Sequence, residues 1–342
     1  VPLARAENLA ESDTFWQVRT GLATLAQQRI PTADPFSWTA HGESWTLNSW
    51  GFNVAVAAVY QAGGLPGVAL ACAVLVAGIG ALVLVLARSL GASPLVSGWL
   101  LVLCSPLLIA WLSARPQLVD YAAVLALVLL LRRLVGAGRP AGPLVGLAAL
   151  AVAVRRGDAV FAAALAVAAC GSLAAVRILP VLLLLALPVL ASFASRPAVL
   201  EYATSRRLLT QAAAGGLAAA VALTAVHLPS LGRPDPAKYP TAAIDAIPSG
   251  CRLFNDYLLG GLVLLEQPDV PVSLDSRNDL YGEDHVKRSL LVLDGQGDLE
   301  EGLAGAGCVL VLPARGLAQR LRESANWELV SAEAAAQLFV RR

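Results

Sequence analysis

The sequence predicts an α-helical polytopic membrane protein of about six spans, with a small C-terminal α/β domain held outside the cytoplasm. Three observations lead there. The 342 residues are 57% hydrophobic and 14% charged, with a mean hydropathy of +0.66; soluble domains sit nearer 45–50% apolar and about 25% charged. The apolar residues are gathered into runs of roughly membrane length instead of being spread along the chain. Residues 241–342 then return to ordinary soluble composition. The net charge of +1 supplies no field for nucleic acid, so no nucleic-acid partner is expected.

Composition divides the chain into a mixed segment 1–64, apolar runs over 65–226, a Pro-rich linker 227–240, "HLPSLGRPDPAKYP", and the C-terminal region 241–342. The opening "VPLARAENLAESD" has neither an apolar core nor a cleavage box and does not read as a signal peptide. A helix rises about 1.5 Å per residue and the hydrocarbon core is about 30 Å thick, so a span takes about 20 apolar residues. The runs 65–87, 94–113, 117–131, 159–176, 178–195 and 208–226 qualify or nearly do; Arg115 and Arg132 can snorkel from the ends of the short third run. Residues 143–154, "PLVGLAALAVAV", are too short to cross alone and read as re-entrant or interfacial. Arginine placement supports this. If 143–154 does not cross, Arg88, Arg132, Arg133, Arg139, Arg155, Arg156, Arg196, Arg206 and Arg207 share one face, and Arg115 and Arg177 are left on the other. The positive-inside rule makes the first face cytoplasmic, which puts the N-terminal loop and the C-terminal domain outside. Residues 51–62, flanked by Trp50 and Tyr60, read either as an interfacial helix or as an extension of the first span.

In the C-terminal region "CRLFNDYLLGGLVLLE", "VPVSLDS" and "GCVLVLPA" read as strands, being short apolar or β-branched runs bounded by Gly, Pro and Asp. "EDHVKRSLLVL" and "ARGLAQRLRESA" have helical spacing, and "NWELVSAEAAAQLFVRR" reads as strand, short helix and strand. Asn255, Asp256, Asp275, Arg277, Asp279 and Tyr281 fall near the predicted strand ends, where open α/β sheets place ligands. Loop capping with a plain Asp–Arg pair would explain the same residues. Cys251 and Cys308 each begin a predicted strand; parallel neighbouring strands would bring the thiols together, although two unpaired cysteines are the expectation. Cys72, Cys104 and Cys170 lie in apolar runs and read as packing residues. His41, His227 and His285 have no metal-ligand spacing.

The polar N-terminal stretch carries the pattern Asp13, Trp16, Arg19, Gly21, followed by Asp34-Pro35-Phe36-Ser37, Gly42, Trp45 and Trp50. Helix capping explains Asp13, a turn before proline explains Asp34, and an aromatic belt at the membrane surface explains the tryptophans. The order D-x-x-W-x-x-R-x-G and then I-P-x-x-D-P-F-S-x-T-x-x-G-x-x-W also resembles the first extracytoplasmic loop of bacterial GT-C-type membrane glycosyltransferases, which use polyprenyl-phosphate sugars. "ARPQL" at 114–118, "AAVRILPVLLLLALPVLA" at 174–191, "FNDYLLGGLVL" at 254–264 and "SLDSRNDLYG" at 273–282 fit the same family.

The resemblance implies a multi-pass protein of the bacterial cell membrane that moves a sugar from a polyprenyl-phosphate donor in the membrane lipid to an envelope glycan or protein acceptor. Asp13 would act as general base or help to hold a divalent cation. Arg19 and Arg115 would pair with the lipid phosphate. Trp16, Trp45 and Trp50 would stack on sugar faces or sit among headgroups, and Asp34 would belong to the same loop site. Ser49 stands where relatives carry an acidic or amide side chain, and the middle of the chain is short. Both favour an alternative, a catalytically degenerate membrane-anchored binding or structural protein of the envelope. Transport has little support, since Asp120 is the one ionisable side chain inside a proposed span.

Overall fold

The computed structural model describes residues 8–9, 11–109, 113–136, 178–195 and 230–342, with isolated positions between 163 and 222. The expected segments 143–154, 159–176 and 208–226 fall wholly or mostly outside the described residues, as do Cys170 and His227. In chain order the elements are β1 (Asn8–Leu9), α1 (Ser12–Gln27), α2 (Trp50–Ser89), α3 (Pro94–Ile109), α4 (Gln117–Gly136) and α5 (Leu179–Ala194). There follow β2 (Arg233–Pro234), α6 (Thr241–Asp245), β3 (Leu253–Asn255), α7 (Gly260–Glu266), α8 (Asn278–Leu293), α9 (Leu299–Gly302), β4 (Cys308–Val311), α10 (Gly316–Glu323), β5 (Trp327–Ala332) and β6 (Gln337–Arg341). The protein is mostly helical with a small C-terminal sheet. It divides into two compact units, residues 8–69 with 232–342 and residues 70–231 with 1–7. The N-terminal loop and the C-terminal domain, which composition separates, therefore belong to one unit.

The apolar unit is built on α2 beyond residue 69, α3, α4 and α5. Leu118, Tyr121, Leu125 and Val128 recur at helical spacing along α4 and pack with Val76, Ile79, Val83 and Leu86 of α2 and with Leu184, Leu185 and Leu187 of α5. Two contacts align helix ends. The Arg132 guanidinium donates to the Ser89 carbonyl at 3.4 Å, and the Ser93 amide donates to Ser195 Oγ at 2.8 Å. The C-terminal ends of α2, α4 and α5 thus lie together. The outer faces stay apolar: Val102, Leu103 and Leu107 of α3 are each more than 60% exposed.

Among the described residues one helix, α2, is long and apolar enough to cross a membrane. The count of six spans is not supported. Helices α3 and α5 have 16 residues each, about 24 Å at 1.5 Å per residue, and α4 carries Asp120, Arg132 and Arg133 within its 20 residues. Helix α2 is itself broken at Gly64, whose φ of 62° and ψ of −160° are not helical, with Pro66 just beyond. The break separates 50–63 from 65–89, the boundary expected between a surface helix and the first span. Before the break, Asn53, Val56 and Ala57 are buried.

In the other unit the sheet order is β3-β4-β6-β5, with β3 parallel to β4 and the remaining pairs antiparallel. Phe254, Val309, Val311 and Phe339 face one side and are covered by Leu293, Leu317 and Leu321 from α8 and α10. Three sequence expectations change here. "GGLVLLE" forms helix α7 instead of continuing a strand. "VPVSLDS" makes only single bridges, Val272 to Leu253 and Val272 to Ser37. "EAAA" is the hairpin connection between β5 and β6, too short for a helix once those strands pair. The Gly260–Gly261 pair has a steric origin. A Cβ at Gly260 would run into the Leu274 carbonyl, and one at Gly261 would lie 2.5 Å from the Ser12 carbonyl, so only glycine lets α7 approach α1 and the 272–275 strip this closely.

Leu253 pairs with Cys308 in the parallel ladder, which brings Cys251 alongside. The two cysteines form a disulfide with Cα atoms 6.1 Å apart. This corrects the expectation of unpaired thiols, because strand adjacency could not be read from the linear order. Among the described residues Cys72 and Cys104 are free.

Candidate functional site

The strip 34–39 brings the N-terminal loop to the sheet. The Trp38 amide donates to the Val272 carbonyl at 3.0 Å, Trp38 Nε1 to the Leu253 carbonyl at 3.0 Å, and Thr39 Oγ1 to the Ser273 carbonyl. Segment 36–38 therefore lies beside 272 at the β3 edge, and Asp34 is carried with it to Arg277.

Arg277 is 1% exposed and is among the largest fully buried side chains. Its Nη1 donates to Asp34 Oδ1 at 2.6 Å, its Nη2 to Asp275 Oδ2 at 2.6 Å and to Tyr281 Oη at 3.2 Å, and its Nε to Asp275 Oδ1 at 2.8 Å. The Tyr281 hydroxyl donates to Asp275 Oδ2 at 2.9 Å. Asp34 accepts further from the Phe36 amide at 3.2 Å and from the amide and hydroxyl of Ser37 at 2.9 and 2.5 Å. The guanidinium also lies within 4.8–5.7 Å of the ring centroids of Trp45, Phe36 and Tyr281. Burial alone would lower the Arg277 pKa; the Asp275 charge and hydrogen bonds, with Tyr281 and Asp34, outweigh it and raise the pKa above the usual arginine range. Burial, reinforced by Asp275, also raises the Tyr281 pKa, so the phenol stays a donor.

The structure thus brings Asp34, Asp275, Arg277 and Tyr281 together and spends their charged and phenolic atoms largely on one another, with the Trp45 ring lying over the guanidinium. Asn255 is similarly committed: its amide donates to the carbonyls of Leu274 at 2.7 Å and Asp256 at 3.0 Å, and accepts from the Ser273 amide at 3.1 Å. Asp256 belongs to a different cluster, accepting from Arg315 Nε at 2.9 Å while Arg315 Nη1 reaches Asp294 at 2.7 Å. The plain Asp–Arg pairing reading therefore describes most of the C-terminal cluster.

Asp13 is different. It sits in the first turn of α1, a favourable place for negative charge. It is not the N-cap, which is Glu11. Its Oδ1 accepts from Ser276 Oγ at 2.5 Å and from Trp16 Nε1 at 3.3 Å, and the side chain is only half-buried. Trp16 meets Trp45 edge to face, centroids 6.0 Å apart, and Trp45 Nε1 donates at 3.2 Å to Asp279, an exposed carboxylate. Trp16 and Trp45 are largely buried, whereas Trp50 is 51% exposed. Arg19 lies 5.4 Å from the Phe36 ring centroid. Its Nε is buried with no hydrogen-bond partner among the described residues. Burial lowers the Arg19 pKa and Asp269 opposes the shift. Arg115 lies in the apolar unit, in the turn that leads into α4.

Among the described residues no three His, Cys, Asp or Glu side chains gather as metal ligands. A divalent cation held through Asp13 would draw its other ligands from substrate phosphate and water. Sequence reasoning missed Ser276 and Tyr257, and it named Phe36 and Ser37 within the Asp34 motif without giving them a role. Ser276 stands inside the quoted run "SLDSRNDLYG", but serine carries no signal of its own there. No family model, curated protein or solved structure matches this chain.

Replacing Arg277 with Leu leaves two buried carboxylates without their counter-charge. The expected loss is about 3–5 kcal/mol of stability, read by urea unfolding, and Lys at the same position should not restore it because it lacks the forked geometry. A second expectation concerns His285, which stacks on Tyr281 at 5.5 Å with its buried Nε2 without a hydrogen-bond partner among the described residues. Burial lowers its pKa, against a hydrogen bond to the Ser273 backbone. The folded state therefore takes up the proton less readily than the unfolded chain. Stability is full above pH about 6.5, the ordinary histidine value, and falls as the pH drops toward the lower folded value. His285→Gln should flatten that acid-side loss in thermal unfolding measured from pH 7.5 to 5.

Proposed function

We propose that this protein is a GT-C-type membrane glycosyltransferase of the bacterial cell envelope, transferring a sugar from a polyprenyl phosphate to an extracytoplasmic glycan or protein. The observation that carries this reading is Asp13, a half-buried carboxylate at a helix start, fixed by Ser276 and Trp16 above a rigid buried base. In the transfer, the acceptor oxygen attacks the sugar C1 and its proton passes to the Asp13 carboxylate. The C1–O bond to phosphate breaks, and the polyprenyl phosphate leaves with the bonding electron pair. A hydroxyl is a weak nucleophile until its proton has an acceptor, which is the need that Asp13 meets. Arg19, whose buried Nε has no hydrogen-bond partner among the described residues, suits the lipid phosphate, and the exposed Trp50 suits a sugar or a headgroup.

The membrane arrangement within this proposal is six spans with the arginine-bearing turns inside. It is supported by helix α2, by the exposed apolar faces of α3 and by the shared end of Ser89, Arg132, Ser93 and Ser195. The Cys251–Cys308 disulfide supports an oxidising exterior for the unit that holds Asp13.

The internal pairing of Asn255, Asp275, Arg277 and Tyr281 favours a second reading, a non-catalytic envelope protein whose membrane part anchors a binding domain. One experiment separates the two. Membranes carrying the wild type or Asp13→Ala are incubated with a tritiated polyprenyl-phosphate hexose and cell-envelope acceptors. The enzyme reading expects transfer by the wild type and loss of at least about a hundredfold in the variant, the usual scale for removing a general base. Unchanged turnover in Asp13→Ala would remove Asp13 from the chemistry, and no transfer by either protein would favour the anchored binding protein. For topology, a membrane-impermeant maleimide added to intact cells after an impermeant reductant should label Cys251, the partly exposed member of the disulfide. Labelling only after lysis would reverse the orientation.

A further inference from the structure

We infer that Ser276 is a positioning residue for the Asp13 carboxylate, an inference that rests on the reading of Asp13 as the proton acceptor in sugar transfer. Ser276 stands between Asp275 and Arg277, whose side chains are clamped to each other at 2.6 Å in the protein interior. The Arg277 amide donates back to Asp275 Oδ1 at 2.9 Å, closing a tight turn around Ser276. The Ser276 carbonyl accepts from the Asn278 amide at 3.0 Å, and the Tyr257 hydroxyl, which donates to Asn278 Oδ1 at 2.9 Å, lies 3.4 Å from the same carbonyl. Both flanks of this serine are thus held rigidly, while its hydroxyl reaches a segment 263 positions away and donates to Asp13 Oδ1 at 2.5 Å.

Two donors then converge on one carboxylate oxygen, since Trp16 Nε1 also addresses Oδ1, at 3.3 Å. A carboxylate turns about its Cβ–Cγ bond through a broad torsional well. A single donor tethers it; two donors from different directions set its plane. The indole donor comes from the same helical turn as Asp13, so it moves with that helix. Ser276 is the donor that ties the carboxylate to the buried Arg277 base, and through it to the sheet edge. The run Asp275-Ser276-Arg277 therefore contributes to setting the plane of Asp13, and with it the direction from which a hydroxyl proton can be received, by anchoring the Ser276 donor to the buried interior. A misplacement of reacting groups by about 1 Å costs on the order of a hundredfold in rate, so such a tether matters to turnover more than to binding.

The test uses full-length protein in membranes as wild type, Ser276→Ala, Ser276→Thr, Asp13→Asn and the Ser276→Ala/Asp13→Asn pair. With the tritiated polyprenyl-phosphate hexose, Ser276→Ala should lower kcat about tenfold, the low end for a hydrogen bond to a charged group, with KM unchanged. Threonine keeps the hydroxyl and should restore kcat, and the double variant should be no slower than Asp13→Asn alone, because both changes act through one group. A Ser276→Ala enzyme with wild-type kcat, or one that threonine does not rescue, would overturn the inference. A second readout needs no turnover: water-soluble carbodiimide with a small amine, followed by mass spectrometry of the Asp13 peptide. Ser276→Ala should change the Asp13 labelling rate severalfold and threonine should return it. If the wild type transfers no hexose, the enzyme reading fails, and labelling alone decides. A rate that follows the serine hydroxyl sustains the positioning role; equal rates in all three proteins refute it.

Discussion

A guanidinium taken out of water is the constraint around which this unit is arranged. Desolvating such a cation costs several kcal/mol, recovered only if oppositely charged partners with good geometry surround it. Arg277 finds one partner two positions away, Asp275, and the other 243 positions away, Asp34. The second cannot be supplied locally. The N-terminal loop must fold onto the C-terminal domain for the charge to be buried at all, so the two behave as one compact unit. Aromatic rings of Phe36, Trp45 and Tyr281 complete the shell.

What the buried base leaves over are the polar groups at its border. Residues that look like ligand donors in the sequence, Asn255, Asp275, Arg277 and Tyr281, have their hydrogen-bonding capacity consumed inside the protein. Asp13, Ser276, Arg19 and Asp279 lie at the border of that network and retain partial exposure. Preorganisation of this kind suits a general base, whose direction matters as much as its proton affinity. Rigidity is generated in the interior and passed outward through Ser276 and Trp45, whose side chains touch the two carboxylates at the border.

The apolar unit obeys a different solvent rule. Its helices bury one face against each other and leave Val102, Leu103 and Leu107 open, a pattern that water would penalise and hydrocarbon would not. Among the described residues its arginines lie at helix ends, Arg88 at the end of α2, Arg132 and Arg133 near the end of α4, and Arg115 in the turn before α4. The Gly64 break in α2 lets one continuous run serve both environments, with Asn53, Val56 and Ala57 buried before it and the long apolar segment after it.

Hydropathy and spacing alone determined the apolar character of the middle of the chain, the strands at 253–255 and 308–311, helices α8 and α10, and a polar loop rich in Asp and Trp. These depend on local composition and on periods of two or 3.6 residues, which are written in the order of the residues. Whether the short runs become full spans is not decided by composition, and the helices α3 and α5, at 16 residues each, fall below the length that run-counting assumed. Tertiary structure alone decided that Cys251 meets Cys308, that Trp16 and Trp45 turn inward while Trp50 faces out, and that Asp34 closes on Arg277. It also converted "GGLVLLE" from an expected strand to a helix and placed Ser276 on Asp13. Each of these depends on which distant segments become neighbours, and that is set by the energy of burying charge and apolar surface together, which no local pattern encodes.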